Sequence, residues 1–248
     1  MSAIGIGLIV LVCVFGGSIL GMVLHTVLPE QHLSADSKDV IKLGMGLIAT
    51  MSALVLALLT NSAKGSFDTQ RNELTQMSAS IILLDRVLAH YGPETKDARD
   101  LLKGTVNNMI NRMWPAEGSG PQLQPVAAEA FYDKIQALSP QNDVQRQLQA
   151  QAVKISVDIG QSRWLLFEQG GRSIPMPFLV LLIFWVTVIF LSFGLFAPRN
   201  ATVIVTLFLC ALSLSGAIYL ILELDHPFGG LVQISSAPLR SALSQIDK

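Results

Sequence analysis

Four stretches of this chain are too apolar to remain in water. Ile4 to Leu28 runs for 25 residues without an acid, a lysine or an arginine. About 20 apolar residues are enough for a helix to cross the hydrocarbon core of a bilayer, so this stretch is expected to span. It lacks the basic flank of a secretion signal and exceeds the usual apolar run of about 7–15 residues, which predicts a retained helix. Ile41 to Thr60 carries a single charge, Lys42, at its edge, where a long side chain can reach the interface. Pro175 to Phe196 has no charge, and Thr202 to Leu222 has none before the acidic Glu223 and Asp225.

Charge is concentrated elsewhere. Lys64 to Arg172 holds 24 of the 35 charged residues, 12 basic and 12 acidic. Charged residues make up only 14% of the chain, against about 25% in soluble domains. A net charge of -1 provides no basic footprint for nucleic acid. The expected fold is an all-α integral membrane protein with four transmembrane helices and one water-exposed helical insert. Residues 1–60 hold the first two spans, 61–174 the insert, 175–224 the last two spans and 225–248 a tail. An even number of spans places both termini and the insert on one side. Lys64, Arg71, Arg163, Arg172 and Arg240 lie near the membrane on that side, against Lys38, Lys42 and Arg199 in or beside the opposite loops Pro29–Val40 and Ala197–Asn200. The excess of basic residues predicts that the insert and both termini are cytoplasmic.

Helical periodicity organises the insert. Gly92-Pro93 ends one segment, and Pro93-Glu94 opens a second with Ala98, Leu102, Val106, Met109 and Met113 on one face. A loop follows from Trp114 to about Pro125, then a short helix carrying Ala127, Ala130, Phe131, Ile135 and Leu138. Asn142 or Asp143 is placed to cap a further helix, with Val144, Leu148, Ala152, Ile155 and Ile159 along one face, ending at Gly170-Gly171. Leu231 to Ile234 is the one stretch with strand-like alternation. Asp85, Asp97 and Asp100 are expected to face solvent.

The second span continues beyond the membrane. Leu74, Met77, Ile81, Leu84, Leu88 and Tyr91 form an a/d seam at spacings of 3 and 4. Traced backwards, the same phase meets Phe67, Ala63, Thr60, Leu56, Ala53, Ala49 and Gly46, interrupted by Gln70. One helix of about 45–50 residues, roughly 70 Å long, accounts for both halves, with Gly65 a point where it could kink. The seam can pack against the insert helices, or copies of the helix can surround an axis. Thr50, Ala53, Ala57, Asn61 and Lys64 also follow one side of this helix at steps of 3 or 4. Small and polar residues ending in a charged mouth suit a conducting pathway. They equally suit close helix packing with each hydroxyl satisfied by its own backbone. In the first span, Gly17-xxx-Gly21 and Ala3-xxx-Gly7, with Gly16 beside them, allow close approach of a helix from the same chain or another.

Catalytic signatures are missing. His25, His32, His90 and His226 have no metal-ligand spacing, so neither a metal nor a cofactor is expected. Ser18 and Ser215 lie at membrane depth and His25 is the one histidine within a span, but neither serine has the Gly-x-Ser-Gly context of an intramembrane protease. Cys13 and Cys210 sit in apolar runs and are expected to be small packing residues. An enzyme is therefore not the expected function.

Leu43 to Glu94 and Leu222 to Leu243 resemble the bacterial bestrophin-like domain family. The last span of that family ends in a Leu-Asp-x-Pro-Phe-x-Gly loop, matched here by Leu224, Asp225, Pro227, Phe228 and Gly230. The family is more remotely similar to bestrophin ion channels. That resemblance implies a symmetric homo-oligomer in a bacterial inner membrane, conducting inorganic ions along its second helix. Pore-lining candidates are then Thr50, Ala53, Leu56, Ala57, Thr60, Asn61 and Lys64, the last slightly favouring anions. Ile48 to Leu59 contains no aromatic residue to match the bestrophin neck, and the acidic calcium-binding run of animal bestrophins has no counterpart beyond Glu223 and Asp225. In the family loop, Pro227 is expected to end the helix, Gly229-Gly230 to allow a turn, Phe228 to re-enter the interface, Asp225 to cap amides and His226 to be solvated. The alternative function is a non-conducting membrane anchor that presents cytoplasmic helices to a partner.

Overall fold

The computed structural model describes residues 2–29, 35–115, 129–169 and 174–246. They form eight α-helices: α1 (Ala3–Val27), α2 (Ala35–Tyr91), α3 (Lys96–Met113), α4 (Glu129–Gln136), α5 (Asp143–Gln169), α6 (Met176–Phe196), α7 (Ala201–Leu224) and α8 (Ala237–Gln245). There is no strand among the described residues, and 231–234 form a bend followed by irregular chain. The chain divides into two compact units, 1–65 with 173–225, and 66–172 with 226–248. α2 contributes to both.

The first unit contains α1, the first part of α2, α6 and α7. All four of these helices are long and apolar enough to cross a membrane. Side-chain caps mark the starts of α1 and α7: Ser2 Oγ accepts the Gly5 amide at 3.2 Å and Asn200 Oδ1 accepts the Val203 amide at 2.8 Å. Each such cap satisfies an otherwise unbonded donor and contributes about 1 kcal/mol. Between them, Val10, Val14, Leu182, Val186, Ala211 and Ile218 form the buried centre.

The glycines of α1 find their partner within the chain. A Cβ on Gly17 would lie 2.9 Å from Thr187 Cγ2, and one on Gly21 would collide with the Leu191 carbonyl and come within 2.8 Å of the Leu195 nitrogen. Gly194 answers from α6, where a Cβ would run into the Ser18 carbonyl. Gly7 approaches Tyr219 and Ser215 of α7. By contrast, Gly16 faces open space. The Ser215 hydroxyl donates to the Gly7 carbonyl at 2.6 Å and Ser18 to Phe15 at 2.7 Å. These serines therefore serve helix packing. Cys13 and Cys210 differ from expectation, since both are exposed on the outside of the unit rather than packed inside it.

α2 is longer than the sequence suggests. It begins at Ala35, within the stretch read as a loop, and runs 57 residues without a break at Gly65. In the second unit its buried seam is the expected one: Leu74, Met77, Ile81, Leu84, Leu88 and Tyr91 are each at most 4% exposed. Their partners come from α3, α4, α5 and α8, including Leu102, Ile110, Ile135, Ile155 and Leu239. In the first unit the buried face has moved. It runs through Met45, Ile48, Ser52, Val55, Leu59 and Ala63, whereas Gly46, Ala49, Ala53 and Thr60 are exposed. A helix with 3.6 residues per turn drifts about 20° per heptad from a 3.5-residue seam. Over the four heptads between Leu74 and Gly46 the drift is roughly 80°, close to the roughly 100° between neighbouring residues. The register has slipped by one position.

The second unit also corrects the assignment of Asp85. It is 1% exposed rather than solvated, and receives Arg99 Nε at 2.7 Å and Nη2 at 3.1 Å. Asp97 and Asp100 are exposed as expected, with Asp97 3.5 Å from Lys134. Asn142 Oδ1 accepts the Gln145 amide at 2.8 Å, forming the expected cap of α5. Val144 is an exception to the predicted α5 face, being exposed, while Ala152 and Ile155 are buried. α8 was not anticipated, although Leu239, Ala242 and Ile246 have the spacing of a helix face and are all buried. The loop residues 116–125, Ala127 and Gly170-Gly171 lie outside the described residues.

Candidate ion pathway on the second helix

Three faces can be distinguished on the apolar part of α2. The first is the packed face, centred on Ser52 and Leu59. Its Ser52 hydroxyl is buried with no hydrogen-bond partner among the described residues. Successive residues turn by roughly 100°, so the other two faces lie roughly 130° to either side. One is bulky and apolar, with Leu43, Leu47, Met51, Leu54 and Leu58 exposed. The other carries small and polar side chains.

That small and polar face holds Thr50, Ala53, Ala57, Thr60, Asn61 and Lys64, and every one of them is exposed in the single chain. Leu56 stands at its edge and is half-buried against the core of the first unit. The hydroxyls turn back on the helix: Thr50 Oγ1 donates to the Gly46 carbonyl at 2.7 Å, and Thr60 Oγ1 to Leu56 at 2.8 Å. Each hydroxyl thus keeps its oxygen lone pairs toward the exterior after its proton is used. Asn61 supplies both a carbonyl and an amide. Lys64 adds positive charge where the apolar part ends. An ion moving past this face would meet alanine methyls, hydroxyl oxygens, an amide and then an ammonium.

The span itself depends little on its own chain. Only 11% of the apolar window of α2 is buried, against 33% for α1, 44% for α6 and 28% for α7. Sequence periodicity could locate the polar stripe, but only the packed partners distinguish it from the buried stripe beside it.

The loop after α7 differs from expectation in part. Asp225 is 7% exposed and forms the C-terminal cap of α7, whereas His226 is exposed as expected. Beyond it, in the second unit, the Ile234 amide donates to the Pro227 carbonyl at 2.7 Å and closes the loop. Gly230 has φ 91°, a conformation that side-chain-bearing residues avoid. Phe228, expected to re-enter the interface, is packed within the second unit instead. It is 4% exposed and meets the edge of Trp114 at 5.6 Å between ring centroids. The Trp114 indole donates to the Ile234 carbonyl at 2.9 Å. Trp114 ends α3, so this loop and α3 form one packed unit. No group of three or more His, Cys, Asp or Glu is positioned to hold a metal among the described residues.

The fold is similar to the crystal structure of a bacterial bestrophin homolog from Klebsiella pneumoniae carrying a tryptophan-to-alanine substitution, with a TM-score of 0.69, 14% identity, and coverage of 99% of this chain and 97% of that one. At that identity the likeness concerns the fold. No curated protein matches the sequence. The family model described as Bestrophin-like domain matches residues 12–239. This all-α integral membrane protein belongs to the bestrophin-like domain family.

Proposed function

We propose that this protein is the subunit of a homo-oligomeric ion channel in a bacterial inner membrane, with α2 lining the pathway. The observation that carries this reading is the exposed stripe Thr50, Ala53, Ala57, Thr60, Asn61 and Lys64 on the span least covered by its own chain. Family membership and the bestrophin-like fold support it. Copies arranged about an axis would direct the stripe inward and cover the bulky face with lipid or a neighbour. Leu56 borders the pathway, and Lys64 biases it toward anions. The insert and both termini lie in the cytoplasm.

Purified protein in planar bilayers is expected to give discrete currents, and Asn61→Ala to change their amplitude or selectivity while leaving the oligomer intact. A well-folded oligomer that remains electrically silent would oppose the proposal. The small residues and self-satisfied threonines also favour a second reading, a close-packed non-conducting anchor. An axis closed by direct contacts between the alanines of α2 would distinguish it.

A further inference from the structure

The polar stripe of α2 continues toward the end of the helix opposite the insert. α2 begins at Ala35, so Asp39, Lys42 and Gly46 belong to the same unbroken helix as Thr50 and Lys64. From Asp39 through Lys42, Gly46 and Thr50 to Lys64, the stripe advances 25 residues in seven steps of 3 or 4. The mean step matches the roughly 3.6 residues of a helical turn, so these positions keep to one face. Each of them is exposed. Another side of α2 is held against α6 at this end. Lys38 Nζ lies 5.8 Å from the centroid of the Phe196 ring, and Ser192 Oγ donates to Met45 Sδ at 3.3 Å. Those contacts fix the rotation of α2 and leave Asp39 and Lys42 uncovered.

Lys42 Nζ pairs with Asp39 Oδ1 at 3.2 Å, with the two side chains 69% and 74% exposed. A pair this exposed adds little to folding. Interface anchoring accounts for a lysine here, but gives no reason for its charge to be offset on the face an ion would follow. Lys42 and Lys64 are 22 residues apart, roughly 33 Å of helix, close to the about 30 Å of a hydrocarbon core. The stripe therefore carries an ammonium near each membrane boundary, and the one opposite the insert has a carboxylate beside it.

We propose that Asp39 and Lys42 form the mouth of the pathway opposite the insert and set its ion selectivity, with Lys42 drawing anions in and Asp39 offsetting that attraction. This rests on the reading of α2 as the pore-lining helix. In an oligomer the pair recurs on every subunit, so a change of one charge is repeated around the axis. Removing the Asp39 charge turns the mouth from neutral to positive, and removing that of Lys42 turns it negative.

The test measures reversal potentials of the full-length oligomer in planar bilayers under potassium chloride gradients. Asp39→Asn should raise the chloride-to-potassium permeability ratio by about twofold or more in about 0.1 M salt, the scale for one unit charge roughly 8 Å from an ion in water. Lys42→Gln should lower it by a similar factor. Both shifts should shrink in about 1 M salt, where the Debye length falls from about 10 Å to about 3 Å. The double variant is neutral at the mouth like the parent and should restore the parent ratio. A merely structural role would produce neither the opposite signs nor the restoration. Asp143→Asn removes the acid of a similarly exposed pair with Arg146 on α5 and should leave the ratio unchanged. Currents whose ratio is unmoved by Asp39→Asn and Lys42→Gln in the lower salt, or moved in the same direction by both, would overturn the proposal while leaving α2 as the pathway. A parent oligomer without current would overturn the pathway and this proposal with it.

Discussion

Gly194→Leu should prevent the first unit from assembling. The Ser18 carbonyl occupies the space that a Cβ at Gly194 would need, and the Met22 nitrogen would be 3.1 Å away. These are backbone atoms of α1, which cannot rotate aside as a side chain could. Accommodation therefore requires the two helices to separate, which also removes the opposing contacts of Gly17 and Gly21. Overpacking commonly costs about 1–3 kcal/mol and occasionally more. Contact with a helix backbone places this substitution at or above the upper end of that range. Size-exclusion chromatography should show loss of the monodisperse species, and any folded remainder should melt earlier. Gly21→Leu should behave alike. Gly16→Leu is the internal control: it places the same side chain on the same helix, but into open space, and should leave both measurements near those of the parent protein.

Asp85→Ala is expected to destabilise the second unit by about 3–5 kcal/mol, the scale for removing one partner of a buried ion pair. The carboxylate is 1% exposed while its partner Arg99 is 20% exposed, so the carboxylate is more completely removed from water. Without it, the guanidinium loses a two-pronged partner within the unit. Arg99→Ala would instead strand the more deeply buried carboxylate, and should cost at least as much. Replacing both with apolar residues of similar size, Asp85→Leu with Arg99→Met, should recover much of the loss because neither charge is then left behind. Chemical denaturation of the parent protein, Asp85→Leu, Arg99→Met and the double variant, monitored by tryptophan fluorescence, measures the coupling. A purely additive double variant would mean that the contact contributes little.

These two sites show where sequence alone stops. Four apolar stretches were legible because crossing hydrocarbon demands both length and absence of charge. The insert faces at Ala98, Leu102 and Val106 were legible because burial along a helix repeats every three or four residues. Asp85 was not, since its salt-bridge partner is 14 residues away on another helix and both appear in a charged region. Gly17 and Gly21 announced a close contact but carried no address for it. On α2 a heptad assumption gave the correct seam at Leu74 to Tyr91 and an incorrect one at Gly46 to Thr60, because the drift accumulates with length. α8 does carry a signal, the Leu239, Ala242 and Ile246 spacing after Pro238, but three positions are a weak pattern beside the long membrane stretches. The packing of Trp114 on the loop around Phe228 spans more than a hundred residues and has no local sequence mark.

The stripe on α2 can be tested directly by thiol accessibility during current recording. Cys13 and Cys210 are first replaced by serine, after which Ala57→Cys and Leu47→Cys are compared on that background. If the small and polar face lines the pathway, a charged water-soluble thiol reagent should reduce most of the current through Ala57→Cys, and leave Leu47→Cys unaffected. Current that is blocked through Leu47→Cys but insensitive at Ala57→Cys would contradict that assignment.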